Sequence, residues 1–523
     1  MIIRSVSTGR LATAAAHTEA ALAVHAPHLA DAFLAQLPHA ADTVGRRLRA
    51  ALVRENLTPP FARGEQHAFN RVEYPTSGVG DPVDLLAGLD NGPFAAEIRN
   101  AVINLAIALA RFDTAEPDSN PDRDAVRLER LAVAGHNLHP CGRTRLGWDT
   151  VDVLAHDLEA GHTTIGFIAV RDDHHLGDDL GTRLGLPEAP PGYRTQPVHA
   201  WQRDLVTSRY AALFTDGVLR HLDGQLDAVP TAALRTLLLP ETGHYLKLSL
   251  DIQVTSTRRS ISIASTRNGP ALSQLLHRLV DGDPDGHRLI LLAETAGAAV
   301  PAGSGRDLSA IARDGLTGRL TDGEHAVPGS ALPAHDPATG TTVLAGLVDT
   351  HGHGPADWLT AYTRLLLPPL LRLATRGVAL EAHLQNCLPT FVAGRPHRLA
   401  LRDFAGLRLH PGRLAAAGHH LDLWPGSVVA TGDTALLLAK LGYTALQAHL
   451  GELVISLQQT HGLAEDRSWR IVREIVDETY DRIGGHPDHA TLTAPTVPHK
   501  ALVRMRLAGE GDIYLPVSNP LHG

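Results

Sequence analysis

Three stretches of this chain combine side chains and spacings that could do chemistry. The first, GHNLHPCGRTRLGW (135–148), sets His136, His139 and Cys141 beside Arg143 and Arg145. Imidazole and thiolate bind zinc, whereas guanidinium groups bind carboxylate or phosphate, so the loop is either a metal site or an anion-binding loop. Zinc needs three or four N/S ligands in paired, short-spaced sets, and the other cysteine, Cys387, is far off in sequence. The anion-binding loop is the better expectation. DTHGHG (349–354) and DDHH (172–175) also look like ligand sets, but neither has further partners at an expected spacing, and both read as solvated loops.

The second stretch, TSTRR (255–259), displays Ser256, Thr257, Arg258 and Arg259 at the exit of an alternating strand. Hydroxyls and guanidinium forks match the oxygens of a carboxylate or a phosphate. The third places Glu381, His383 and Gln385 on one strand face, with Asn386 beside them and Asp403 near the end of a partner strand. Such a polar face is costly if buried without partners. Its carboxylate and amide oxygens suit Mg2+, which keeps waters and bridges to substrate phosphates. An arginine and hydroxyl set joined to an acidic set describes a site for a nucleotide and a carboxylate. The chain has neither a Walker loop nor a kinase signature, so an ATP site here is of an unusual kind.

The elements that must carry these groups follow from hydrophobic period. The first 115 residues read as helical, with Leu29, Phe33, Leu34 and Leu37, then Ile98, Val102, Leu105 and Leu109, at helical spacing. DTAEPDSNPDRD (113–124) reads as a linker or exposed loop. LKLSLDIQV (246–254) alternates strictly and is expected to be one half-buried strand with Lys247, Ser249, Asp251 and Gln253 outward. NGP (268–270) should break the chain before an amphipathic run. Further strands are expected at 288–294 and 341–349, and a helix kinked by Pro368 and Pro369 over 357–377. VALEAHLQN (378–386) alternates again and pairs, through the turn AGRP, with a strand at 397–404. The remainder reads as helical, including SWRIVREIVDETYDRIGG, which its glycine pair should stop.

A chain of 523 residues is too long for one compact core, and 44% apolar content is ordinary for a soluble globular protein. A net charge of −9 argues against bulk nucleic-acid or anionic-membrane binding. Two cysteines make no disulfide framework, no signal peptide is evident and no apolar run spans a membrane, so a cytoplasmic protein is expected. Basic residues are nearly all arginine, which singles out Lys247, Lys440 and Lys500.

Taken in order, the motifs resemble the IucA/IucC family, the NRPS-independent siderophore synthetases. Its first signature, approximately G-H-P-x-H-P-x-x-K-x-R-x-G, is met by Gly135 to Gly147, with Asn137 in place of the proline and Arg143 in place of the lysine. K-x-S-x-x-I-x-x-T-S-x-x-R is met by Lys247, Ser249, Ile252, Thr255, Ser256 and Arg259, followed by Asn268-Gly269-Pro270. E-x-H-x-Q-N and a later R-D are met by Glu381, His383, Gln385, Asn386, Arg402 and Asp403, and a closing K-A-L-x-R-M-R-L by Lys500 to Leu507.

The resemblance implies an α+β, cupped-hand enzyme: a helical thumb (1–120), β-rich fingers (121–376) and a palm (377–523). It implies an ATP- and Mg2+-dependent ligase that adenylates a citrate-type carboxylate and passes it to an amine, hydroxylamine or alcohol, working as a homodimer. The rival readings are a ligase for a non-siderophore acid and an inactive relative that only binds nucleotide or carboxylate. On the ligase reading, His136, His139, Arg258, Arg259 and His383 would be catalytic. Ser256, Thr257, Arg143, Gln385, Asn386 and Asp403 would bind the nucleotide or its charge, and Glu381, Gln385 and Asp403 the metal.

Overall fold

The structure is a computed structural model that describes residues 10–61, 64–90, 92–113, 116–509 and 511–523. The expected leaderless N-terminus in its first nine positions, and the 113–124 stretch at 114 and 115, lie outside the described residues. Helices α1 (Arg10–His25), α2 (Ala30–Arg54) and α3 (Phe94–Ala110) pack together, burying Phe33, Ile98, Val102 and Leu105 as their period predicts and leaving Leu34, Leu37 and Leu109 partly buried. Their core is completed from afar: Cys141, Trp148, Ile252, Val254 and Val503 pack into the same cluster. The first, second and closing motifs are thus fixed against one helical base.

The alternating run 246–254 is two strands, not one. It divides at Ser249 into β3 (His244–Leu248), preceded by β1 (Thr163–Arg171) and β2 (Thr236–Leu239), and β4 (Leu250–Val254), which continues into β5 (Thr257–Arg259). β3 lies inside an antiparallel sheet of order Leu176–Gly177, β7 (Glu294–Ala299), β8 (Ser309–Arg313), β3, β2, Leu219–Pro230, β1, Tyr193–His199. Covered on both faces, β3 buries Lys247 as fully as Leu246 and Leu248. The expected solvent face is absent because the ammonium has carboxylate partners inside. β4 belongs to a different sheet, between β5 and Arg145–Leu146, in the register Val254↔Arg145. One short ladder therefore ties the first motif to the second.

NGP does not break the chain. It lies within α4 (Ile263–Asp281), capped by Ser262, whose hydroxyl accepts from the Ser265 N–H. Proline's fixed φ is helical, so Pro270 removes one hydrogen bond without ending a helix that buries Leu272, Leu275, Leu276 and Leu279. The region expected as a strand over 288–294 is β6 (Leu289–Leu291) followed by the start of β7. That over 341–349 is mostly helix, α5 (Val343–His351): Thr342 caps it, and Leu344 and Val348 recur one turn apart on its buried face. Helix α6 (Pro355–Thr375) carries both prolines, as expected.

The hairpin around AGRP exists, but its strands are β9 (Cys387–Val392) and β10 (Arg395–Leu401), turning at Ala393 and Gly394 with positive φ at both. Of 378–386 only Val378–Ala379 pairs as strand, with Arg408–Leu409. Positions 383–386 form a turn closed by Asn386 N–H donating to the His383 carbonyl, and Arg402 N–H then takes the Asn386 carbonyl. The polar trio is thus carried on a loop rather than on a strand face. Helix α7 (Gly451–His461) continues a π-helical stretch, Gly442–Leu450, and α8 (Glu465–Ile483) ends at Gly484 and Gly485, both left-handed. The largest core draws mainly on residues 272–521, joining α4 to α8 and the β9–β10 hairpin, with Phe69 and Leu128 added from earlier in the chain.

Candidate active site

Asp403 is where the separated motifs meet. It follows β10 with φ 61°, a left-handed conformation uncommon outside glycine, and its carboxylate lies 2.6 Å from Lys247 Nζ. The same ammonium is 3.3 Å from Glu294 at the start of β7. Glu294 comes this close to α4 because position 269 is glycine, where any Cβ would collide with the carboxylate. Its second oxygen, Oε2, is buried with no hydrogen-bond partner among the described residues.

Around this pair cations predominate. Arg402 pairs with Glu129 and donates to the Gln385 carbonyl at 3.0 Å. Arg235 donates to the carbonyls of Arg259 and Ser260, both at 3.2 Å. Arg313 stacks 4.5 Å over Tyr245. Burial, reinforced by Arg235, pushes Arg259 down to about 9, and Arg259 Nε has no partner. Arg235 and Arg313 are lowered too, first by burial. Burial alone would raise Asp403, but the charges of Lys247 and Arg235 hold it far below the ordinary range. Glu381 pairs with Lys440, and a Cβ at Gly406 would displace its carboxylate.

The histidine loop supplies neutral donors. Leu138 N–H donates to His136 Nδ1 at 3.1 Å, and Cys141 N–H to His139 Nδ1 at 2.9 Å. Each Nδ1 is an acceptor, so the proton sits on Nε2. Burial, with neighbouring positive groups, lowers His139 to about 3 and His136 well below its usual value, so both rings are neutral near pH 7. His139 Nε2 is buried and has no partner among the described residues. Two Nε2–H groups can donate to a carboxylate but offer a metal no lone pair, an arrangement that suits the anion reading over the metal one. His383 is close enough to His136 to depress its protonation, and is itself lowered, chiefly by burial.

The structure therefore brings together His136, His139, Arg259, Glu381, His383 and Asp403. It separates the two arginines that the sequence leaves open: Arg259 turns inward, while Arg258 is 68% exposed and pairs with Asp251. Thr257 is exposed, and Ser256 offers its carbonyl to Arg506 at 3.2 Å. Arg143 faces Glu159 at 2.6 Å and Asp157 at 3.8 Å rather than the Asp403 group. Asn386 donates its amide to the Glu381 carbonyl, bracing the loop. Glu381 and Asp403 are paired with Lys440 and Lys247, and among the described residues no three His, Cys, Asp or Glu side chains are grouped as a metal site.

Sequence reasoning missed Arg235, Glu294, Arg313 and Glu129 as neighbours of Asp403; nothing in their local patterns marks them. Lysine scarcity was a usable signal. Lys247 and Lys440 pair with expected site carboxylates, and the charge of Lys500 reaches His136 and His139.

Residues 124–334 match the IucA / IucC family, and residues 356–515 match the family described as ferric iron reductase FhuF-like transporter. The chain is 24% identical over 501 residues to the D-ornithine–citrate ligase of Staphylococcus aureus, covering 82% of this chain and 76% of that one. Its fold is similar to the petrobactin biosynthesis protein AsbB from Bacillus anthracis, with a TM-score of 0.83 at 21% identity over 95% of this chain and 98% of the other. It is also similar to the ATP-bound aerobactin synthetase IucA from Klebsiella pneumoniae, with a TM-score of 0.75 at 19% identity over 92% and 100%. Four ordered motifs thus converge on one cluster inside this fold, and the two that lie within residues 124–334 fall in the stretch that matches the IucA / IucC family.

Proposed function

We propose that the protein is an ATP-dependent ligase of siderophore assembly, which activates a citrate-type carboxylate as its acyl-adenylate and joins it to an amine, hydroxylamine or alcohol. The observation that carries this reading is the cationic excess around Asp403, set beside two neutral Nε2–H donors. A triphosphate brings concentrated negative charge, and Arg235, Arg259, Arg313 and Lys247, all near enough to Asp403 to interact with its charge, would supply fixed counter-charge for it. His136 and His139 would hold the carboxylate by hydrogen bonds, leaving its attacking oxygen unprotonated. That oxygen bonds to the α-phosphorus as pyrophosphate leaves; the amine nitrogen then bonds to the acyl carbon, losing a proton as AMP leaves.

Mg2+ belongs to the same reading. It takes one or two carboxylates along with phosphate oxygens and waters. Glu294, with an orphaned oxygen, and Asp403 fit that demand better than Glu381, which Lys440 occupies. When bound, the ion would offset phosphate charge. A cytosolic homodimer, implied by the resemblance, is part of the proposal; among the described residues no helix is long and apolar enough to cross a membrane.

The test is to incubate the protein with ATP, Mg2+, hydroxylamine and a panel of di- and tricarboxylic acids, measuring AMP and pyrophosphate. Acid-dependent AMP is expected, and its absence across the panel would sink the ligase reading in favour of a binding-only relative.

A further inference from the structure

Behind the histidine loop lies a second cavity, of about 240 Å3, that the chemistry above does not use. One wall is a single face of α2: Thr43, Arg46, Arg47, Ala50, Ala51 and Arg54 follow the three-four spacing of a helix. The alanines leave the space, and the arginines rim it. The opposite wall is an ion network: Arg71 lies 2.6 Å from both Glu73 and Glu452, and Asn137 donates to Glu452 at 2.9 Å. Asn137 and Leu138 line this cavity, while the flanking His136 and His139 contribute to the reaction centre. The cavity adjoins the histidine loop, since Asn137 and Leu138 line it and Arg47 of its wall donates to the Ala134 carbonyl at the loop's start.

On the α2 side Arg46 is paired with Asp42 at 3.0 Å and Glu55 also lines the cavity, while the hydrogen bonds of Arg47 and Arg54 go to backbone carbonyls. Arg47 donates to the Ala134 carbonyl at 2.6 Å and Arg54 to the Phe69 carbonyl at 3.0 Å. No carboxylate among the described residues pairs with either. Glu55, the nearest by sequence, is occupied by the backbone N–H groups of Val503 and Arg504. Arg54 is 8% exposed, so the missing partner is not bulk water. Buried guanidinium forks without a counterion are receptors for a carboxylate. The wall across from them carries Glu73 and Glu452, whose charge is already shared with Arg71.

We infer that this cavity binds the nucleophilic co-substrate, an amine that carries its own carboxylate, with the carboxylate on Arg47 and Arg54 and the amine end directed past Asn137 toward the histidine loop. The inference rests on the ligase reading and adds the substrate class of its second half-reaction. Asn137, where the family signature has proline, then acts as a positioning residue, pinning the loop to Glu452 and to the Ala448 carbonyl at 3.0 Å.

The experiment compares two matched amine pairs, 2,3-diaminopropanoate against 1,2-diaminoethane and ornithine against 1,4-diaminobutane, with hydroxylamine as a small reference nucleophile. Wild type, Arg54→Gln and Ala50→Leu are assayed; the leucine fills the cavity without altering charge and keeps a good helix former. Wild type is expected to favour at least one carboxylate-bearing amine over its match by roughly tenfold or more in kcat/KM. Both variants should raise its KM roughly 10- to 100-fold, while the hydroxylamine reaction and the diamine KM stay as in wild type. No preference in wild type, an unchanged KM in both variants, or equal loss of the hydroxylamine reaction would overturn the assignment. A wild type that makes no acid-dependent AMP with hydroxylamine overturns the ligase reading itself.

Discussion

Two buried ion clusters lie near each other in this fold, and their pairing differs. In one, Arg143 and Arg145 pair with Asp157 and Glu159, the charges of Arg111 and Arg130 also reach Glu159, and Asp157 is drawn below the carboxylate range by Arg145 and Arg143 against the push of burial. In the other, Lys247, Arg235, Arg259, Arg313 and Arg402 surround Asp403, Glu294 and Glu129. In the first, salt bridges take up both carboxylates and tie Arg143 and Arg145 to the segment 157–159. The second has cations left over, and a surplus kept inside a protein is stable only if something anionic arrives. Of these cations the motifs show Lys247, Arg259 and Arg402; only the pairing shows which are available.

That contrast can be broken by substitution. Asp403→Ala and His383→Ala should each reduce acid-dependent AMP formation by about 100- to 1000-fold, the fold being retained by circular dichroism. Retained activity in both would move the site elsewhere. Arg143→Met belongs to the first cluster and should act on stability instead, costing about 3–5 kcal/mol in urea denaturation by leaving Glu159 without its salt bridge, with AMP formation per folded molecule close to wild type. If activity falls and stability does not, Arg143 reaches the ligand and the division between the clusters fails. Arg259→Met should slow AMP formation by about tenfold or more, whereas Arg258→Met, at an exposed pair, should change it less than about twofold.

The smallest effect is a pH slope. Free His139 takes up a proton near its ordinary 6.5, but folded only near about 3. Between those values the unfolded chain binds more protons, so stability falls as pH drops, by at most about 1.4 kcal/mol per pH unit for this group. His139→Asn, which can still accept from the Cys141 N–H, should flatten that limb in denaturation between pH 6 and 5; an unchanged slope would mean that His139 is charged when folded.

Much of this was legible beforehand, and the reasons for the misses are physical. Helical period located α2, α3, α6 and α8 because each buries a stripe against one core. Alternation misled at 246–254, since a strand covered on both faces keeps the same pattern when its polar residue is neutralised inside, and nothing local marks Ser249 as the place where the chain changes sheets. It misled again at 378–386, where Arg402 and Asn386 bend the backbone into a turn although the residues still alternate. The site's motif residues were readable by type and order. Arg235, Glu294 and Arg313 were not, because they arrive from neighbouring strands and their value lies in register: Lys247 stands opposite Thr236 and Ile311, next to the positions that carry them.

The Nδ1 bonds of His136 and His139 have a consequence beyond catalysis. Histidines three residues apart are an ordinary trap for Zn2+ or Cu2+. A protein that assembles chelators would meet such ions beside products designed to seize them, and an exposed pair of nitrogen lone pairs would invite poisoning. By turning those lone pairs inward to the backbone, the loop keeps histidine's hydrogen-bonding reach and gives up its appetite for metal. Two amide protons, from Leu138 and Cys141, confer this immunity.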